Sequence, residues 1–181
     1  DGFIYPGHVS AIIGAAPYEF VARDHGIPGA IAGFEPGDIL LAVRSVLDQA
    51  VKKKPVVAIE YSRAIRPGGN PEARALMDEV FEPFDAAWRG LGTIPPSGLR
   101  FRKTYVGLDA LCRFSLDAAG TGRDLPGCRC GDVLRGLLRP EDCRHFGKKC
   151  LPDSPLGPCM VSYEGSCLIH YKYGRTRRTH P

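Results

Sequence analysis

Six of the chain's seven cysteines, Cys128, Cys130, Cys143, Cys150, Cys159 and Cys167, fall in one short stretch near the C-terminal end. That stretch has little else to fold with. Val133, Leu134, Leu137 and Leu138 recur at helical spacing and predict one short helix over 132–138. "LPDSPLGPC" is rich in proline and reads as loop. A segment of roughly 50 residues with so little regular structure cannot bury enough core alone. Its cysteines must staple it, and three staples are available. Disulfides belong to oxidising compartments, nothing in the sequence points to secretion, and an odd total leaves one thiol over. Structural zinc prefers paired knuckles in which a short turn presents two sulfurs, and the nearest approach here is Cys128-Arg129-Cys130. An iron–sulfur cluster accepts ligands spread over longer loops. A set of reduced core cysteines is the bland alternative, and it needs a core that this segment lacks. Spacing alone favours the cluster and leaves zinc open.

Upstream the texture differs. "GFIY", "GAIAGF" and "VVAIEY" are short apolar runs of the kind that form buried parallel strands. Between the last two, Glu35 stands at a cap position and Pro36 suits the first helical position. Ile39, Leu40, Val43, Val46, Leu47, Ala50 and Val51 then make one apolar stripe, and Lys52, Lys53, Lys54 and Pro55 end the helix. Asn70-Pro71 starts another helix, with Leu76, Val80, Phe81 and Phe84 on one face until Pro83 kinks or ends it. Strand–helix alternation predicts an α/β fold with a parallel sheet. The expected organisation is an α/β domain over 1–95, extended segments and linker over 96–127, a cysteine-rich domain over 128–174 and a basic tail over 175–181. The opening "DGFIYPG" reads as a strand entered without a polar lead-in, so the chain is expected to be the C-terminal part of a longer protein.

With 44% hydrophobic and 24% charged residues, the 181-residue chain has the composition of a soluble globular protein. Its net charge of +4 owes much to Arg175, Arg177 and Arg178, which read as a solvated tail and not as a nucleic-acid site. No apolar run reaches the roughly 18 residues that span a bilayer, and no signal peptide opens the chain. A cytoplasmic location is expected.

Longer motifs point to a family. "CGDVLRGLLRPEDC", "FGKKC", "GPCMVSYEGSC" and "YKYG" resemble the C-terminal end of the HypD family of NiFe-hydrogenase maturation proteins. "GFIYPGHVSAIIG", "IPGAIAGFEPGDIL", "YSRAIRPGGN" and "WRGLGTIPPSG" resemble the α/β domain and its continuation in the same family. The resemblance implies a 4Fe-4S cluster in the C-terminal region, held by cysteines spaced C-x12-C-x6-C-x16-C. Laid on this sequence, that pattern selects Cys130, Cys143, Cys150 and Cys167. Cys128 is the alternative first ligand, giving C-x14-C-x6-C-x16-C, and Cys130 is preferred because it opens the "CGDV" match. Cys159 falls outside the pattern, and Cys112 reads as a core thiol. The resemblance also implies a role in assembling the Fe(CN)2CO moiety of NiFe-hydrogenase, as a metallochaperone scaffold with redox function rather than a conventional enzyme. Its partners would be a HypC-like small chaperone and a HypE-like protein. The family's "CGGH" and "CPVC" motifs lie in its other half and are absent here, so no catalytic residue is expected in this chain. The transient iron would be held mainly by that other half.

Two polar stretches stand where parallel sheets place ligands, just past strand ends: Pro6-Gly7-His8 and Gly33-Phe34-Glu35. Gly7 suits a sharp turn, and His8 and Glu35 are the candidate cleft residues, each with a simpler reading as a cap or hydrogen-bonding group. The resemblance places both stretches near a cleft between domains. Glu60 and Arg63 could face the same cleft or form a surface ion pair. His145, between two cluster cysteines, could support them or face solvent. Gly68-Gly69 lacks the following Lys-Ser/Thr of a phosphate loop. Two rival functions remain: a zinc-stapled binding module, and an α/β enzyme with its own small-molecule site at His8 and Glu35.

Overall fold

A computed structural model describes residues 1–116 and 125–174. The chain forms two compact units, Asp1–Phe81 and Glu82–Pro181. Residues 82–95, grouped with the α/β part in the sequence reading, thus count with the second unit. The basic tail, and residues 117–124 of the expected linker, lie outside the described residues.

The first unit is α/β, as expected. Strands β1 (Phe3–Pro6), β2 (Gly29–Ala32) and β3 (Val57–Ile59) form a parallel sheet in the order β1-β2-β3. Register runs from Phe3 opposite Gly29 to Pro6 opposite Ala32, and from Gly29 opposite Val57 to Ile31 opposite Ile59. The central strand is buried throughout, which explains its unbroken apolar sequence. Helices α1 (Gly7–Ile13) and α2 (Glu19–His25) connect β1 to β2, and α3 (Pro36–Lys52) connects β2 to β3. Pro36 opens α3 as expected, although Glu35 makes no side-chain cap. Lys53, in the left-handed conformation, closes it.

The face that α3 buries is not the expected stripe. Asp38, Ala42 and Gln49 are buried, and Val46 packs beside them, while Leu40, Val43, Leu47 and Val51 are exposed. The helix is amphipathic, yet the middle of its apolar face stays exposed, and the edge of that face at Ala42 and Val46 turns to the sheet. Ala42 decides it: its small side chain lets the helix lie close on Ala30 and Ala32. Gln49 adds polar satisfaction, donating to the Gly29 carbonyl (3.1 Å) and accepting from the Val56 N–H (3.0 Å).

Helix α4 (Pro71–Val80) begins as expected, with the Asn70 side chain accepting from the Ala73 N–H at 3.1 Å. Phe81 and Phe84, assigned to its apolar face, instead belong to β4 (Phe81–Trp88). A turn with Leu91 N–H on the Trp88 carbonyl (3.0 Å) leads into β5 (Gly92–Phe101) and closes a hairpin. Pro83, Pro95 and Pro96 argue against a central strand, but in a two-stranded ribbon every strand is an edge and can spare N–H groups. A cross-strand pair, Arg100 to Glu82 at 2.8 Å, and the Trp88 indole on Ser97 (2.7 Å) fasten it.

Beyond the hairpin the described residues form four short α-helices, α5 (Ala110–Arg113), α6 (Cys130–Leu134), α7 (Pro158–Val161) and α8 (Ser166–Tyr173). Helix α6 starts earlier and stops sooner than the expected 132–138, because Gly136 takes a positive φ of 71° and leaves Leu137 exposed. Cys112, read as a core thiol, lies exposed on α5. The core of this unit is Cys130, Val133, Cys150, Cys159, Met160, Cys167 and Leu168. Four of those seven are cysteines, so sulfur takes the place that aliphatic side chains fill elsewhere. No helix among the described residues is long and apolar enough to cross a membrane.

Candidate metal centre

The cysteines reach one locality from five places. Cys128 lies in the turn before α6 and Cys130 opens that helix. Cys143 ends the single turn Pro140–Asp142, and Cys150 closes a turn in which its N–H bonds the His145 carbonyl at 2.9 Å. Cys159 sits in α7 and Cys167 in the first turn of α8. All six line one narrow, largely apolar pocket, with Val133, Phe146, Leu156 and Met160 among the other walls.

Two of the six are joined. Cys130 and Cys159 form a disulfide, with their Cα atoms 6.1 Å apart. This departs from the expected ligand set, because a sulfur in a disulfide has no thiolate to give. It also supplies a staple that the sequence reading had set aside. Outside the disulfide, Cys128, Cys143, Cys150 and Cys167 line the pocket, which is the alternative set with the C-x14-C-x6-C-x16-C spacing. Their proximity has an electrostatic signature. Burial pushes the Cys167 thiol up to about 11, and the neighbouring Cys150, Cys143 and Cys128 add to the shift.

Among the described residues no group of three or more His, Cys, Asp or Glu side chains is arranged to hold a metal ion. The four sulfurs line the pocket without being drawn onto one centre. In chemical type the donors suit an iron–sulfur core, which takes cysteine thiolates: four cysteines outside the disulfide, in a wall with no carboxylate. His145 belongs to the same wall and its Nε2 lies 3.2 Å from the Pro126 carbonyl, an interaction that holds the ring at the rim. On the outer face of α6, Asp132 is gripped by Arg129 and by Arg135 (2.5 Å). The Arg129 hydrogen bond, above all, holds the Asp132 carboxyl below the usual range.

The second set of candidates gathers at the carboxyl ends of the strands in the first unit. His8, in the first turn of α1, tilts against Phe34 with ring centroids 4.7 Å apart. Gly7 is needed for closeness rather than for a turn: it lies inside α1, and a Cβ there would meet the Ala32 carbonyl and, at 2.8 Å, the Tyr61 ring. The strongest feature is one that the sequence reading passed over. Asp38, 5% exposed, accepts a two-pronged hydrogen bond from Arg63 at 2.6 and 2.7 Å. Arg63 also meets Glu35 at 3.3 Å and lies over the Tyr61 ring at 4.4 Å. Arg63 holds the Asp38 carboxyl well below its usual range, and Asp38 raises the guanidinium in return. Glu35 is therefore the exposed partner of an ion pair with Arg63. Glu60 lines a separate groove with Arg44 and Asp48, away from His8 and Glu35. Only the helical position of Asp38 and the Arg in "YSRAI" hinted at the fork; with the two 25 positions apart, no local pattern connects them.

The family model described as the hydrogenase formation hypA family, HypD, matches residues 1–174. Hydrogenase maturation factor HypD2 of Bradyrhizobium diazoefficiens is 46% identical over 178 residues, which is 98% of this chain and 47% of that protein. HypD of Azotobacter vinelandii is 45% identical over 98% of this chain and 47% of its own length. HypD of Rhodobacter capsulatus is 43% identical over 98% of this chain and 48% of its own. The chain thus spans about half the length of the curated relatives it matches.

Proposed function

The chain belongs to the HypD hydrogenase formation family, and on that footing we propose that it acts in the maturation of NiFe-hydrogenase, at assembly of the Fe(CN)2CO moiety. In this reading the second unit carries a 4Fe-4S cluster on Cys128, Cys143, Cys150 and Cys167. The observation that carries it is the division of one sulfur pocket: two cysteines are committed to a disulfide, and the other four form the alternative set spaced C-x14-C-x6-C-x16-C. A cluster bound there would supply single electrons. The protein's own part is to exclude water with Val133, Phe146, Leu156 and Met160, to keep carboxylates out of the wall, and to hold a second redox-capable group, the Cys130–Cys159 disulfide, in the same core. The Fe(CN)2CO iron is cargo, held mainly by the half of the relatives that this chain does not span. A HypC-like chaperone and a HypE-like protein are the proposed partners, and the cytoplasm the proposed location.

Anaerobic incubation of the chain with ferrous iron and sulfide tests the cluster. The expected product is brown, and Cys128→Ser, Cys143→Ser, Cys150→Ser and Cys167→Ser each lose iron while Cys130→Ser keeps it. A colourless chain with stoichiometric zinc would instead favour a zinc-stapled module. Iron lost from Cys130→Ser but kept by Cys128→Ser would restore the other ligand set.

A further inference from the structure

Gly157 precedes α7 with φ −136° and ψ 159°, an extended conformation open to any residue. Backbone freedom does not explain a glycine there. Space does: a Cβ at this position would lie 2.6 Å from the Cys128 sulfur and 3.2 Å from Cys130 Cβ. Sulfur and carbon cannot approach so closely, so the bare α-carbon is what lets the Cys128 sulfur sit where it does. One residue earlier, the Leu156 N–H donates to the Cys150 sulfur at 3.4 Å, and the Leu156 carbonyl accepts from Arg89 in the hairpin turn at 3.3 Å. One residue later, Pro158 opens the helix that bears Cys159. The segment is thus pinned on both sides and touches two of the four proposed ligands.

We infer that Leu156–Gly157 is a strap that seats the Cys128 and Cys150 sulfurs, with Gly157 a positioning residue for the cluster. This rests on the cluster reading above. The N–H on Cys150 fixes that sulfur's orientation, and such outer contacts set ligand direction and redox potential. The missing Cβ at Gly157 fixes the depth of Cys128. Substitution there acts on the site through geometry alone, because it removes no donor and no charge.

The test compares Gly157→Ala with Gly107→Ala, whose added Cβ would meet nothing. After anaerobic loading, Gly107→Ala should match the unmodified chain in iron and sulfide content and in the EPR signal of the dithionite-reduced protein. Gly157→Ala should hold iron about tenfold more weakly or worse. In metal-free protein, alkylation mapped by mass spectrometry should show Cys128 labelled severalfold faster in Gly157→Ala, with Cys143 unchanged. Circular dichroism and an intact Cys130–Cys159 disulfide report that the variant has folded. If it has not, Arg89→Ala loosens the strap from an exposed position without adding an atom, and it should lower iron retention in the same direction. Equal loading and spectra in the loaded variants, with equal labelling of the metal-free ones, overturn the strap and leave the cluster standing. An unmodified chain that takes up no iron overturns the cluster and the strap's role with it.

Discussion

Removing the Cys130–Cys159 bond should cost the second unit a large part of its stability. The two cysteines are separated by 29 positions in sequence, and both are buried, at 4% and 3% exposure. In the chain-entropy account, a cross-link over that distance takes about 3.6 kcal/mol of freedom from the unfolded state. For a denaturant slope of about 1.5 kcal/mol/M, the urea midpoint should fall by about 2.4 M. Trp88 is the chain's single tryptophan and lies in β4, so its fluorescence follows this unit. The measurement is urea unfolding of metal-free protein, oxidised and reduced, beside Cys130→Ala/Cys159→Ala. Reduced protein keeps both sulfurs in the core, so its midpoint isolates the cross-link. The double variant also loses the packing of two sulfurs and should unfold at lower urea still, with no response to reductant. A reduced midpoint within about 0.5 M of the oxidised one would refute the reasoning. So would a double variant that still answers to reductant.

Acid should weaken the first unit through Asp38. Its carboxyl is held low by Arg63, so the fork's contribution is complete above the ordinary carboxylate pKa of ~3.9 and is lost as pH falls through the lowered folded value. Thermal melts by circular dichroism should show Asp38→Asn less stable near neutrality and flatter on the acid side; an unchanged acid limb would count against the fork. Gln49→Leu should cost about 2–4 kcal/mol in urea unfolding, because the Gly29 carbonyl and the Val56 N–H each lose a buried partner. A loss below about 0.5 kcal/mol would mean that water or a backbone shift replaces both bonds.

What the sequence made legible was local. Pro36, Lys53 and Pro55 bracket α3, and Asn70-Pro71 opens α4, because caps and breakers act within a turn of themselves. Strand and helix alternated plainly enough to announce the parallel sheet. Contacts between distant residues were not legible. The hairpin hid behind Pro83, Pro95 and Pro96, whose cost depends on how many neighbours a strand has, a tertiary fact. The buried face of α3 was decided by how near Ala42 could come to β2. Likewise the sequence preferred Cys130 to Cys128, and the pairing of Cys130 with Cys159, which no spacing shows, points the other way. Asp38 read as a first-turn helix residue until Arg63 arrived from the end of the sheet.

One contact bears on modularity. Gly90, at the tip of the hairpin with φ 82°, lies against Gly131 in α6 so closely that a Cβ on either residue would run into the other's backbone. Neither glycine can drift unless the two segments part. The same turn reaches the strap through Arg89. The cysteine-rich segment therefore does not end, as a transplantable part, at its first cysteine. A graft cut at Cys128 would leave α6 facing the space where a hairpin belongs, and the smallest movable piece begins near Glu82.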